Sequence, residues 1–165
     1  MRMYDNLVDI YDKLINDEGL LRLLYYKPTK FSDDPFSPTK KDILTSDKRW
    51  DITDQVIVRS AKTNDLAEDS SICRLCVYPG LRDNSVTNYL VADQAIVFDI
   101  YVHIASFDAV DFRLAKICDY LDSAFFNKAV TGLGKVRFGA GKNIPNPPKG
   151  YLGYRLFYEF GSGKG

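Results

Sequence analysis

Histidine occurs once in this chain, tryptophan once and cysteine three times, and neither sign of charge is in excess: 22 Lys and Arg face 22 Asp and Glu. Each scarcity excludes something. Three cysteines (Cys73, Cys76, Cys118) are too few and odd in number for a disulfide framework, so a reducing compartment fits. A net charge of zero argues against a general electrostatic nucleic-acid binder, which needs a surplus of Lys and Arg. No run approaches the roughly 20 apolar residues that span a bilayer, so no membrane partner is expected. The acidic amphipathic start is unlike an export signal.

What is present is core material. Apolar residues make up 45% of the 165, with 10 Phe and 11 Tyr, enough for one domain over 1–165 that buries roughly 70% of its unfolded surface. The charge is balanced overall but not along the chain. Residues 1–127 hold 15 basic against 21 acidic side chains, whereas 128–165 hold 7 basic residues against Glu159 alone. Either the surface is solvated and polarised, or an acidic surface of one copy meets a basic surface of the next.

Periodicity gives an order of elements. Leu7, Ile10, Leu14 and Ile15 recur at helical spacing, and Leu20, Leu21, Leu23 and Leu24 make a second short helical piece stopped by Pro28, so 1–28 is an N-terminal helical segment. Residues 29–54 carry Pro35 and Pro38 and mixed charge, which predicts an extended loop with at most a turn of helix near Ile43. A loop beyond about 15 residues is uncommon in a compact domain. Because it exposes Phe31, Phe36 and Trp50, it is expected to act as an arm that orders on a partner.

Residues 55–160 should hold the sheet and its helix. Strands are expected at 55–60, 72–78 and 96–104, the last alternating Ile96, Phe98, Ile100, Val102 and Ile104 against Val97, Asp99, Tyr101 and His103. A single long helix is expected over 108–127, with Asp108 as N-cap and Val110, Leu114, Ile117, Leu121 and Phe125 as its buried stripe. Strands at 135–138 and 151–160 follow, and 161–165 is expected to be a flexible tail. The fold class is therefore α+β, an antiparallel or mixed sheet with one long helix packed across it and helices on one face.

Chemistry finds little purchase. The Cys73-Arg74-Leu75-Cys76 spacing falls inside a strand, where positions i and i+3 point to opposite faces, rather than at the helix N-terminus that a redox pair requires. Cys118 and His103 are the only other Cys or His ligands available for zinc, without a second pair or a knuckle glycine. The Gly134-Lys135 and Gly141-Lys142 pairs lack the P-loop glycine five positions earlier, where Ala129 and Val136 stand, and lack the following Ser or Thr. His103 sits on a central strand and is expected to be structural. The expectation is no enzyme, no cofactor and no metal.

The N-terminal amphipathic helix, the extended loop, the sheet crossed by a helix over 108–127, and the run Leu20-Leu21-Arg22-Leu23-Leu24-Tyr25-Tyr26-Lys27-Pro28 together resemble the tail terminator and tail-to-head joining (tail completion) proteins of long-tailed bacteriophages. The 29–54 loop is longer than in the shortest members. The resemblance implies a structural virion protein, assembled in the host cytoplasm. It would form a hexameric ring that caps the tail tube protein and docks on the head–tail connector or stopper protein, with DNA only as passing cargo. In such a ring Lys135, Arg137 and Lys142 would face either a neighbouring copy or the lumen, and Phe31, Phe36 and Trp50 would serve a partner contact. Two alternatives are another neck protein (head completion or stopper) and a small cellular ligand-binding module.

Overall fold

The computed structural model describes residues 2–164. Helix α1 (Met3–Ile15) buries Ile10, Leu14 and Ile15, and α2 (Glu18–Tyr25) buries all four of its leucines. The two are separated by Asp17, whose side chain caps α2 by accepting from the Leu20 amide at 3.2 Å. Helix α3 (Arg49–Val56) leads into a two-residue strand, β1 (Ile57–Val58). Of the strand expected at 55–60, only Ile57 and Val58 form one; Gln55 and Val56 are the end of a helix. Ile52 and Val56, one helical turn apart, are both buried, and that shared contact outweighs the β propensity of Val56-Ile57-Val58.

The segment between α2 and α3 is not an arm awaiting a partner. Arg22, itself buried, donates to the carbonyls of Pro35, Ser37 and Lys40 at 3.1 Å each and to the Asp42 carboxylate at 2.6 Å. Glu18 accepts from the amide of Ile43, whose side chain is fully buried in the main core. One guanidinium with four acceptors supplies the order that the prolines alone do not.

The remaining strands are β2 (Cys73–Asn84), β3 (Val91–His103), β4 (Leu133–Asn143) and β5 (Tyr151–Gly163). They form one mixed sheet in the order β1-β2-β3-β5-β4, with β1 parallel to β2 and every other pair antiparallel. Each of these four strands is longer than its sequence expectation. β2 continues through Pro79-Gly80 across a register shift between Pro79 and Arg82, because an edge strand tolerates a residue without an N–H. β5 continues through Ser162, whose hydroxyl accepts from Asn6 Nδ2 at 3.0 Å in a buried contact. The supposed flexible tail is therefore strand as far as Gly163; Gly165 lies outside the described residues.

The helices pack on the face built by Leu75, Val77, Ile96, Phe98, Ile100, Leu156 and Tyr158, where Phe98 meets Phe125 edge to face at 5.2 Å between ring centres. The other face is covered too, over half its length. Leu66, Cys76, Tyr101 and Tyr151 make a second small core beneath the segment that follows β1. Arg74 holds that segment through Asp65, at 3.0 Å from Nη2 to Oδ2.

The single long helix is broken. A π-type turn (Ile104–Asp108) and a three-residue helix α4 (Ala109–Asp111) precede Phe112, which adopts a left-handed backbone at φ 54°, and α5 (Arg113–Phe125) then begins afresh. The break brings Asp111 and Arg113 together in the interior, with Nη2 and Oδ2 2.9 Å apart. Asp108 still caps, but it accepts from the Leu114 amide at 3.0 Å, in the new helix. Ile117, Leu121 and Phe125 form the buried stripe as the spacing required.

Candidate functional site

The groups most capable of chemistry are engaged by the protein itself. His103 Nδ1 accepts from the Ser106 amide at 3.2 Å, which leaves the proton on Nε2, 2.6 Å from the Glu68 carbonyl. Cys73 and Cys76 lie on opposite faces of β2, one in each core. Burial raises both thiols, Cys76 to about 12, and does the same to Cys118. Among the described residues no group of three or more His, Cys, Asp or Glu side chains could hold a metal ion, and no helix is long and apolar enough to cross a membrane.

One polar cluster escaped the sequence. Asp99, buried on the face away from the helices, accepts from Arg155 Nε at 2.6 Å and Nη2 at 2.9 Å, and from the Tyr78 hydroxyl. The hydrogen bond to Asp99 pushes Arg155 above its ordinary value; burial, then the same carboxylate, push Tyr78 up. The alternation of β3 marked Asp99 as off the apolar face, but its partners come from β2 and β5, a pairing that needs the strand order.

Of the residues singled out by sequence, Lys135, Arg137 and Lys142 are brought together on β4, an edge strand, and all three are exposed. Arg137 reaches Asp93 at 3.4 Å and Glu159 at 3.9 Å, and Lys142 lies 5.7 Å from the Phe157 ring centre. Phe31 and Phe36 line one depression of about 500 Å³ between the Arg22-held loop and α5, where Phe36 stacks on Tyr120 at 6.1 Å. Trp50 is not part of it. It stands on α3 beneath the Arg49 guanidinium, 4.6 Å from the ring centre.

Two apolar surfaces had no clear signal in the sequence. The turn joining β2 to β3 projects Val86, 98% exposed, with Leu81, Tyr89 and Leu90 also exposed. A second cleft, about 410 Å³, lies between α1 and the outer edge of β2 and is lined by Tyr4, Val8, Tyr11, Val77 and Pro79. A monomer rarely leaves such groups in water without using them.

A family model named YomW matches residues 17–160, most of the chain. The chain belongs to the YomW family. The SPbeta prophage-derived uncharacterized protein YomW of Bacillus subtilis (strain 168) is 34% identical over 169 residues, covering 97% of each chain. Membership in the YomW family makes this a phage-associated protein. The YomW match runs from the cap of α2 to Phe160 in β5, and so takes in β2, β4 and the turn that carries Val86.

Proposed function

We propose that the chain is a non-catalytic structural subunit of a phage particle. It closes into a ring, hexameric by resemblance to tail terminators, at the head-proximal end of the tail, stops growth of the tail tube and joins it to the head connector. The observation that carries this reading is the distribution of exposed apolar groups. They cluster at the β2–β3 turn, in the α1 cleft and around Phe31 and Phe36, three separate patches on one small domain, as a subunit with several protein neighbours requires. The kinship with a prophage-derived protein supports the same setting.

The test is removal of the gene from the phage, with electron microscopy of the particles and mass spectrometry of purified wild-type virions. Overlong or ragged tails in the mutant, and the chain present in wild-type particles, are expected. Filled heads that leak and carry no tail would place it in the connector instead. Infectious, normal particles without the chain would refute a virion role.

A further inference from the structure

Phe31 and Phe36 are exposed from an ordered loop. Arg22 holds the carbonyls on either side of Phe36, those of Pro35 and Ser37, at 3.1 Å each. Asp33, two residues after Phe31, accepts from the Thr29 amide at 3.0 Å and from Lys40 at 2.6 Å. Both rings are therefore placed before any partner arrives, which lowers the ordering cost of binding. They border the depression of about 500 Å³ against α5, where Phe36 stacks on Tyr120 and Phe31 stays 70% exposed.

The charge around these rings is negative and only partly answered. Asp33, Asp34 and Asp119 line the depression, against Lys116 alone. Lys116 is turned to the Asp111 carboxylate at 3.3 Å, and Asp33 is taken by Lys40. Asp34 and Asp119 are exposed and have no cation within salt-bridge distance among the described residues. The three carboxylates do not form a group that could hold a metal ion. The counter-charge that fits is an organic cation with flat faces. A guanidinium stacks on aromatic rings and bonds carboxylates through its planar fork, whereas an ammonium is a compact, strongly hydrated point charge.

Resting on the reading that this patch meets a protein neighbour, we infer that the depression takes an arginine side chain from a segment of a different protein, its guanidinium against the Phe31 and Phe36 rings and paired with Asp34 and Asp119. A second copy of this chain is not the source, because all nine of its arginines are already engaged at home. Arg22, Arg74, Arg113 and Arg155 are bonded within the fold. Arg82 donates to the Gly163 carbonyl at 2.9 Å, and Arg137 reaches Asp93 and Glu159. Arg49 and Arg59 lie over the Trp50 and Tyr11 rings, and Arg2 is partnered as well. Charge complementarity thus points outward, to a neighbour with an arginine to spare.

The test is an NMR titration of the full chain with N-acetylarginine methylamide, with its neutral citrulline counterpart and with the lysine counterpart. Saturable shifts at the Phe36, Asp119 and Tyr120 amides are expected with arginine, weaker ones with lysine and none with citrulline. Asp119→Asn should weaken binding about tenfold and Phe31→Ala about threefold, with melting temperatures unchanged. No saturable shift, an equal response to citrulline, or lysine bound as tightly as arginine overturns the inference. A photo-crosslinker at Ser32 in assembled particles should capture an arginine-bearing segment of another virion protein, and capture of a second copy of this chain overturns the choice of occupant. A chain that binds the arginine probe but is missing from virions would leave the site standing and remove the tail reading. A chain present in virions but blind to the probe would do the reverse.

Discussion

Replacing Arg113 with methionine should be among the most damaging single substitutions in the molecule, although the residue is three positions from the half-buried Lys116 and looks like helix surface in the sequence. Arg113 is 1% exposed. It donates to the Leu23 carbonyl at 2.6 Å and the Tyr26 carbonyl at 2.7 Å, which closes the C-terminal end of α2, and makes three contacts of 2.9 to 3.3 Å with the fully buried Asp111 carboxylate. Methionine keeps much of the volume and removes every donor. Breaking a buried ion pair from one side costs about 3–5 kcal/mol, because the remaining charge is left without compensation. Lys116, 3.3 Å from Asp111, still offers some compensation, which places the loss near 3–4 kcal/mol. At about 2–4 °C per kcal/mol for a domain of this size, Tm should fall by about 10 °C in a calorimetric melt. Asp111→Asn alone should also destabilise, and the double variant should lose clearly less than the two losses added, since neither partner is then stranded. A Tm shift under about 2 °C for Arg113→Met, or strictly additive losses, would refute the argument that this pair acts as one unit.

Arg22→Ala should free the 29–42 loop, and limited trypsin digestion should then cut at Lys30, Lys40 and Lys41 at least tenfold faster than in the parent, because four acceptors lose their donor. Gly132→Ala should cost more than about 2 kcal/mol in chemical denaturation, since the backbone there has φ +69° and a Cβ would meet the Gly161 carbonyl and the Phe160 ring. Ellman's reagent at pH 8 should label the folded chain only slowly and all three cysteines in denaturant, burial having raised each thiol. The hydrogen bond from Lys40, then that from the Thr29 amide, holds Asp33 down at about 2 from 3.8. A depressed carboxyl stabilises above its ordinary value and loses that contribution as the pH falls toward 2. The protection factor of the Thr29 amide, its exchange rate divided into the intrinsic rate at each pH, should therefore fall between about pH 4 and pH 2 and stay flat above it.

Much of the fold was legible because its signals are local. The period-two run of β3 from Ile96 to Val102, the leucines of α2 and the Ile117-Leu121-Phe125 stripe each report burial from a handful of neighbouring residues, and each lies where expected, whereas Ile104, expected to end that run, is exposed in the π-type turn. The errors share a cause as well. The sequence predicts strand ends at Tyr78 and Phe138, just before Pro79-Gly80 and Gly139-Ala140-Gly141, yet both sites are on edge strands that absorb an unpaired or missing N–H. The 108–127 helix has an unbroken apolar stripe, and nothing in that spacing warns that Asp111 and Arg113 will turn inward to find α2. The 29–54 segment looks free in the sequence because its anchor, Arg22, is a charged residue within a leucine-rich helix, and its role depends on carbonyls as many as 18 residues away.

The basic residues near the C-terminus were named from sequence, but their place in the fold was not. Lys135, Arg137 and Lys142 drew attention as the basic end of a polarised chain, but charge alone left them facing either DNA or protein. Only the strand order decides what they stand on. Because β4 closes one side of the sheet and β1 stops after two residues on the other, the basic strand and the bare stretch of β2 are opposite margins of the same sheet. An edge left open on both sides of a sheet would ordinarily invite open-ended aggregation.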